Sequence, residues 1–335
     1  MFELVWSGKI TSMRLPRIKV PKGEDGLYHC MSRIVGGDYI FGVREKECFI
    51  SMMWRLAEFL GIDVLDYTVM SNHYHQLAFV PGVIELNDLQ LLDRLKAYYG
   101  AQGEEFLCFR EALISGGRAA ELLRERHLKR MGDISDFEGT LKQTFSTWYN
   151  RQQDRRGTLW MERFKSVLVE DSPDALGILA TYIDLNPVRA NMVEDPKNYR
   201  FCGYGAAMGG DLRCRRGIMR VMGMDSWEEA SAAYRVFLMK RGHAEAISKT
   251  GKISRELLLK TLKEEGKLPH SELMRLRVRY FSDGLVLGSE LFVEKVFQQY
   301  RSHFGEKRKS GSRPINGLSD SPLCVIRDLR NSVFS

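Results

Sequence analysis

Two neighbouring runs of strand-forming residues constrain the fold most strongly. The runs "DVLDYTVM" and "HYHQLAFV" are separated only by the turn residues Ser71 and Asn72. Strand-forming residues on both sides of so short a turn predict two adjacent strands. The remaining elements of the fold have to be arranged around this pair.

The segments around the pair alternate between strands and helices. Before it, "LYHCMSRIV" predicts a strand that stops at Gly36, and "REKECFISMMWRLAEFLG" predicts an amphipathic helix because its apolar residues recur at spacings of three and four. After it come a helix in "FEGTLKQTFSTWYNRQQDRRG", a strand in "FKSVLVE" and a helix in "SPDALGILATYIDLNPVRANMV", with Ser172 as N-cap and Pro187 near its end. This order predicts an α+β fold with a ferredoxin-like βαββαβ sheet and a further helix.

The composition changes along the chain and suggests boundaries. A charged, helical segment interrupts the predicted core, and basic, helical sequence follows it. The predicted parts are a basic N-terminal arm at 1–24, a core domain at 25–208 with a helical insertion at about 84–135, a mostly helical C-terminal region at 209–304 and a flexible basic tail at 305–335.

Charge and cysteine content limit the partners and the compartment. The formal net charge of +7 is compatible with a polyanionic partner such as nucleic acid. The six cysteines form no CxxC pair, so we expect no zinc ribbon and no disulfide framework. The N-terminal residues lack the apolar core of a secretory signal, and no run of about 18 apolar residues occurs. These features favour a cytoplasmic protein without a membrane span.

His73 and His75 form the first candidate site. They are alternate residues of a predicted strand, so their side chains point to the same side, about 6 to 7 Å apart along the backbone. That spacing suits two ligands of one metal ion, with His29 as a further candidate ligand. The pair also fits two ordinary histidines on a sheet face, because two ligands do not make a metal site.

The histidine pair needs a third metal ligand and a reactive group, and the helix that contains "TYIDLNPVR" can supply both. Tyr182 and Asn186 are four residues apart and share one helix face. Two imidazoles and an amide oxygen leave coordination positions open, so a bound metal could act as a Lewis acid on a phosphoryl group. Tyr182 is then a candidate nucleophile. Its alternative interpretation is a half-buried aromatic of an amphipathic helix. Tyr149 is another candidate nucleophile, but it lacks an Asn or Gln four residues later.

Four sequence blocks, taken together, resemble one family. They are "YTVMSNHYHQLAF", "GTLWMERFKSVLVE", "YIDLNPVRANMV" and "NYRFCGYGA". In this order they resemble the HUH single-tyrosine transposases, and in particular their REP-associated tyrosine transposase branch. The resemblance covers about residues 25–208. The histidines lie more than 100 residues before Tyr182, farther than in compact members of the family, and the insertion accounts for this distance if it loops out of the fold.

The resemblance implies a chemistry and a set of residues. His73 and His75 match the metal-binding histidines, Tyr182 matches the nucleophile and Asn186 matches the third metal ligand. The implied cofactor is Mg²⁺ or Mn²⁺. The implied partner is single-stranded DNA with hairpin or palindromic repeats, cleaved and rejoined through a 5′-phosphotyrosine. Neither a monomer nor a homodimer is favoured.

Basic residues around "GTLW" are candidates for contacts to DNA phosphates. They are Arg155, Arg156, Arg163 and Lys165, and they outnumber the acidic residues beside them. A solvated charged face is the alternative interpretation of this cluster.

Two other functions remain open from the sequence. One is a DNA-hairpin-binding protein that has lost catalysis. The other is a hydrolase with a histidine-bound metal, which would need a carboxylate ligand or general base. Asp66 and Asp184 are the available carboxylates.

Overall fold

The fold is built on one mixed sheet with helices on both faces. The computed structural model describes residues 17–240, 281, 284–315 and 323–327. The strands are β1 Gly26–Arg33, β2 Asp63–Val69, β3 His73–Val80, β4 Lys165–Val169, β5 Gly284–Ser289, β6 Arg313–Pro314 and β7 Leu323–Arg327. The helices are α1 Val43–Leu60, α2 Asp88–Tyr99, α3 Glu104–Ser115, α4 Arg118–Leu128, α5 Ile134–Gln152, α6 Pro173–Asp184, α7 Asn186–Arg189, α8 Gly203–Met208, α9 Leu212–Met222, α10 Trp227–Lys240 and α11 Glu290–Gln299.

The predicted mixture of strands and helices is confirmed. The seven strands lie in the order β2-β3-β1-β4-β5-β7-β6. In the first part of this sheet β2 pairs with β3, β3 with β1 and β1 with β4, and all three pairs are antiparallel. The turn between β2 and β3 is closed by a hydrogen bond from the Met70 amide to the His73 carbonyl, 2.8 Å long.

The C-terminal part of the chain forms α9, α10 and α11 within the described residues of 209–304, and it also adds three strands to the sheet. β5 lies beside β4 and runs parallel to it, with Leu168 opposite Val286. β7, from the segment expected to be a flexible tail, pairs with β5 and buries Val325 and Ile326 completely. The physical reason is that the outer edge of β4 would otherwise expose unpaired backbone groups, which β5 satisfies.

The segment predicted as a helical insertion contains α2, α3 and α4. α2 packs on α1, where the Tyr98 ring stacks on Phe59 with 4.7 Å between the ring centroids. Arg94 also donates to the Phe59 carbonyl at 3.3 Å. α3 packs on α2 and α4 packs on α3, so the segment adds no strand to the sheet and leaves β1 paired with both β3 and β4.

The two faces of the sheet have different helix layers. α1 and α5 cover one face, where Phe49 contacts both Phe145 of α5 and Tyr74 of β3. α6 and α9 cover the other face at β2. α9 approaches so closely that a β-carbon on Gly217 would lie 2.1 Å from the carbonyl oxygen of Leu65.

A buried network centred on Glu138 lies between α5 and β3. The Tyr74 hydroxyl donates to one carboxyl oxygen at 2.5 Å, and the Gln76 amide donates to the other. Removal from water raises the pKa of Glu138 to about 7, although these hydrogen bonds act in the opposite direction. Burial also lowers the pKa of Lys142, one turn later, to about 8.

Among the helices of the described residues, none combines the length and the hydrophobicity that crossing a bilayer requires.

Glu138 should make the stability fall as the pH rises. In the unfolded chain its carboxyl releases its proton near pH 4.5, but in the folded protein only near pH 7. The stabilisation is therefore complete below pH 4.5 and is lost as the pH rises through 7. Glu138→Gln removes this titration. Relative to wild type, its free energy of unfolding should rise by roughly 3 kcal/mol between pH 4.5 and 7.5. Urea unfolding at both pH values measures this, and parallel pH profiles would contradict it.

The close approach of α9 to β2 gives a second prediction. Gly217→Ala should lower the free energy of unfolding by about 1 to 3 kcal/mol, because a backbone carbonyl cannot move aside as a side chain can. Gly139→Ala in α5 is the matched control, since nothing lies within 4 Å of its β-carbon position. A helical Gly→Ala change in open space should stabilise by about 0.5 to 1 kcal/mol. Equal effects of the two variants would show that the packing is looser than described.

Candidate active site

One face of the sheet carries all three histidines of β1 and β3. Met31 lies opposite His75 and Arg33 lies opposite His73, and directly opposed residues of an antiparallel pair point to the same side. His29, two residues before Met31, belongs to the same face. The structure therefore brings His29, His73 and His75 together.

His75 is held by a hydrogen bond with His29. Nε2 of His29 lies 3.0 Å from Nδ1 of His75, and Nδ1 of His29 lies 3.0 Å from the backbone carbonyl oxygen of Phe281. The two rings are close to parallel, with 5.2 Å between their centroids. Both nitrogens of His29 are engaged in this way, which does not support His29 as a further metal ligand.

His73 is held by its neighbour in the sequence. Its Nδ1 lies 2.7 Å from Oδ1 of Asn72, and the Asn72 amide nitrogen donates to the Gly37 carbonyl at 2.9 Å. The donation to Gly37 fixes which end of the amide faces His73, and an amide oxygen only accepts. Nδ1 of His73 therefore carries the hydrogen, and the lone pair of the neutral ring is on Nε2.

Burial keeps these imidazoles uncharged. Loss of solvation lowers the pKa of His29 to about 3 and that of His73 to about 4. Loss of solvation also lowers the pKa of His75 well below its ordinary value, and the two other imidazoles and Arg189 add to the effect. Neutral imidazole is the form that binds metal ions.

α6 crosses this face of the sheet and ends above the histidines. Ser172 caps its first turn, accepting from the backbone three residues later at 3.4 Å, as the sequence predicted. At the other end, the Thr68 hydroxyl donates to the Ile183 carbonyl at 2.9 Å. Because Thr68 lies opposite His75 in the β2–β3 pair, this bond fixes the last turn of α6 near His75.

That last turn brings Tyr182 against the histidines. The Tyr182 ring meets His75 and His29 edge to face, with centroids 5.6 and 6.0 Å away. Phe281 stacks on Tyr182 at 4.6 Å, and the Arg189 guanidinium lies 4.8 Å from the centre of the Tyr182 ring. Tyr182 is fully buried by these neighbours.

Asn186 lies one turn after Tyr182, as the sequence predicted. α6 ends at Asp184, close to Asn186 and Pro187 as the sequence predicted, and the chain then makes the separate short turn α7. The Asn186 amide nitrogen donates to the carbonyls of Tyr182 and Ile183 at 2.9 and 3.1 Å. The nitrogen thus satisfies carbonyl groups at the end of α6, and Oδ1 is the atom of this side chain that can accept a hydrogen bond or bind a metal ion.

The donor atoms suit an open metal site. The ring centroids of His73 and His75 are 5.2 Å apart. Two imidazoles that share an ion about 2.1 Å from each Nε2 have centroids roughly 5 Å apart, so this separation fits. The amide oxygen of Asn186, on the turn after Tyr182, is the candidate for a third donor. Across the part of the chain that the structure describes, no group of three or more His, Cys, Asp or Glu side chains is arranged to hold a metal ion.

The carboxylates that a hydrolase would need are engaged elsewhere. Asp184 accepts from the Tyr204 amide at 3.1 Å and from the Tyr234 hydroxyl at 2.6 Å. Asp66 accepts from the Tyr67 amide at 2.8 Å. Burial raises the pKa of both carboxyl groups. Within the described residues neither joins the histidines in a metal-binding group, so the geometry does not support a histidine-metal hydrolase.

The loop that carries the predicted DNA contacts borders the histidine end of the sheet. The Met161 amide donates to the Arg33 carbonyl at 2.9 Å. Arg33 is paired with His73, so the loop lies beside the candidate site. A polyanion bound to this loop would run close to His73.

The four predicted basic residues differ in their surroundings. Arg156, Arg163 and Lys165 are exposed. The Lys165 ammonium lies 3.6 Å from a Glu162 carboxyl oxygen, a weak surface ion pair. Arg155 is half-buried and donates to two acceptors of its own loop region at 3.2 and 3.3 Å, so its guanidinium has a role in holding the loop.

Tyr149, the alternative nucleophile, lies in the other helix layer. It belongs to α5 and packs on Phe145 at 6.1 Å. Phe145 also contacts Phe49, which packs on the Tyr74 side of β3. Tyr74 and His75 point to opposite faces, so the sheet separates Tyr149 from the histidines.

Sequence reasoning missed three residues of the site. Asn72 and Arg189 lie within the runs "NHYH" and "NPVR", beside residues that were predicted, so a local signal existed for both. Phe281 follows Tyr182 by 99 positions in the sequence. No pattern connects these two residues, and only the folded chain brings them into contact.

The comparisons with known proteins give one named likeness. No protein-family model matches the chain. No curated protein matches it either. Among the solved structures that match is a REP-associated tyrosine transposase bound to a REP hairpin, 12% identical, covering 60% of this chain and 88% of the other, with a TM-score of 0.37. A likeness at this TM-score and identity establishes neither the fold nor the activity of this chain.

Proposed function

We propose that this protein is a metal-dependent single-strand DNA transposase of the HUH type, acting near palindromic hairpins. The observation that carries the proposal is the contact between Tyr182 and His75, whose ring centroids are 5.6 Å apart. The two residues lie more than 100 positions apart in the sequence. Asn186 lies on the next turn. The order and antiparallel pairing of β2, β3, β1 and β4 support a ferredoxin-like HUH domain.

Tyr182 is the proposed nucleophile. Its hydroxyl oxygen bonds to the phosphorus of a scissile phosphodiester while the bond to the 3′ oxygen breaks. The phenol loses one proton and the departing oxygen gains one, so the products are a 3′-hydroxyl and a 5′-phosphotyrosine. Attack by a 3′-hydroxyl on the phosphotyrosine rejoins DNA. No nucleotide is consumed, because the phosphodiester energy is retained.

Arg189 is suited to stabilise charge on the phosphate. Its guanidinium lies 4.8 Å from the centre of the Tyr182 ring. Burial lowers its pKa, and a guanidinium nevertheless stays protonated in proteins. A fixed positive group in a site that excludes water stabilises the charge that develops during phosphoryl transfer.

The proposed cofactor is Mg²⁺ or Mn²⁺. Nε2 of His73, Nε2 of His75 and Oδ1 of Asn186 would hold it. When bound, it would supply Lewis-acid polarisation of the phosphate. Such ions keep several water ligands, which an incomplete protein donor set allows.

The proposed partner is single-stranded DNA with hairpin or palindromic repeats. Arg156, Arg163 and Lys165 are exposed beside the site, and Arg155 shapes their loop. We expect them to bind phosphates, with a monomer and a homodimer both compatible with this role. A cytoplasmic location is part of the proposal and agrees with six free cysteines.

The burial of Tyr182 favours a second candidate function. Its ring is fully buried beneath Phe281, so the hydroxyl must become accessible before DNA can react. A chain in which this never happens would bind DNA hairpins without cleaving them. Formation of a covalent adduct separates the two functions.

Tyr182→Phe tests the nucleophile. The variant keeps the ring that packs on Phe281 and His75, so the thermal unfolding temperature and DNA binding should change little. Cleavage of single-stranded repeats and the covalent adduct should disappear, as read by denaturing electrophoresis. Tyr149→Phe is the matched control and should react like wild type. Peptide mapping of the adduct to Tyr149 or another residue would contradict the assignment.

Variants of the donor set test the metal. His73→Ala and His75→Ala should lower cleavage in Mg²⁺ or Mn²⁺ by at least about 100-fold while hairpin binding stays within a few-fold. Asn186→Ala should be milder, with activity partly restored by added Mn²⁺. It also removes the bonds to the end of α6, so its unfolding temperature should be measured in parallel. Full cleavage by wild type in excess chelator would rule out the metal requirement.

A further inference from the structure

A chain of buried hydrogen bonds leads from the C-terminal part of the protein to His75. It runs from the Phe281 carbonyl to Nδ1 of His29, and from Nε2 of His29 to Nδ1 of His75, with 3.0 Å at each step. His29 and Phe281 are completely buried, and His75 is 5% exposed. His29 is not one of the residues proposed to hold the metal, to bind DNA or to attack the phosphate.

We propose that His29 is a positioning residue that fixes the tautomer and orientation of His75, so that Nε2 of His75 presents its lone pair to the catalytic cation. The purpose of this positioning, metal binding by His75, rests on the proposed function. The hydrogen bonds between Phe281, His29 and His75 are present whatever the function is. In this proposal the Phe281 carbonyl determines which atom donates and which accepts at each step of the hydrogen-bond chain from His29 to His75.

The direction follows from which atoms can donate. A backbone carbonyl only accepts, so Nδ1 of His29 must carry a hydrogen. A neutral imidazole has one such hydrogen, so Nε2 of His29 is an acceptor. Nδ1 of His75 must then donate to it, and the lone pair of His75 is left on Nε2. Both rings are buried away from water, which favours the neutral forms that this reasoning requires.

The two proposed metal ligands are thus supported in different ways. Asn72, next to His73 in the sequence, accepts from Nδ1 of His73. His75 obtains the equivalent acceptor from another strand, and through it from the C-terminal part of the chain. Metal-binding histidines commonly have such a partner on the second ring nitrogen, and its removal costs about 10- to 100-fold in metal affinity.

A purely structural histidine at position 29 would behave differently. If His29 only filled space, any residue that packs equally well and satisfies the Phe281 carbonyl would leave His75 unchanged. If His29 positions His75, the replacement must also accept a hydrogen bond from Nδ1 of His75. Two amides that differ by one methylene separate these alternatives.

The test uses full-length protein with His29→Asn and His29→Gln. Asn can donate to the Phe281 carbonyl in place of Nδ1 but is too short to reach His75, whereas Gln can reach it. His127→Asn is the control for the loss of a buried imidazole, since His127 is 1% exposed and lies in α4 of the insertion. Circular dichroism and thermal unfolding establish that each variant is folded.

Two measurements are made without DNA. Long-range ¹H–¹⁵N correlation spectra of the metal-free protein report the tautomer of each histidine, and calorimetric titration with Mn²⁺ reports affinity. In wild type and His29→Gln, His75 should carry its hydrogen on Nδ1. In His29→Asn it should shift toward Nε2, and Mn²⁺ affinity should fall by about 10- to 100-fold. His29→Gln should stay within about threefold and His127→Asn should be unchanged.

The outcomes separate this inference from the proposed function. A His29→Asn variant that binds Mn²⁺ like wild type, or that keeps the Nδ1-protonated His75, overturns the inference alone. Equal weakening by Asn and Gln also overturns it, because it indicates a structural role. Wild-type protein that binds no Mn²⁺ overturns the proposed function and the purpose assigned to His29.

Discussion

The antiparallel pairing of β1 with β3 is the constraint on which the site depends. Its register puts His29, His73 and His75 on the face beneath α6, and it puts Tyr74 and Gln76 on the face beneath α5. A slip of β3 by one residue would turn His73 and His75 to the other face and Tyr74 and Gln76 to the face of His29. The imidazoles would then face the Glu138 network, and the phenol and amide would face Tyr182. Each face supplies hydrogen-bond partners only for the side chains that point to it in the observed register, so the shifted register is disfavoured.

A second constraint is the fixed position of α6 over this face. Thr68 of β2 holds the Ile183 carbonyl, and Asn186 donates to the same carbonyl. These two hydrogen bonds hold the residue next to Tyr182, and the Tyr182 ring contacts His75 and His29. The buried Glu138 and the buried imidazoles show the same principle on both faces: polar groups removed from water are tolerated where neighbouring strands supply their hydrogen-bond partners.

Local sequence patterns predict the positions of the candidate residues His73, His75, Tyr182 and Asn186 better than they predict the full sheet. The alternation of His73 and His75, the N-cap of α6 and the four-residue spacing of Tyr182 and Asn186 are local patterns, so they can be recognised without a structure. β5 and β7 could not be placed from their sequences. A short run such as "GLVLGS" predicts a strand at most, and its pairing with β4 depends on contacts more than 100 residues apart. Phe281 and the role of His29 were missed for the same reason.

The parallel pairing of β4 with β5 has a consequence for synthesis of the chain. About 115 residues separate Val169 from Gly284. At about 5 to 20 residues per second, a ribosome needs roughly 6 to 23 seconds to make them. During that interval the emerging polypeptide has β1 to β4 but an open strand edge, a surface prone to pairing with other chains. It also lacks Phe281. A nascent chain can therefore form the histidine face early, but it completes the support of His75 only after Phe281 has been added, about 200 residues after His75.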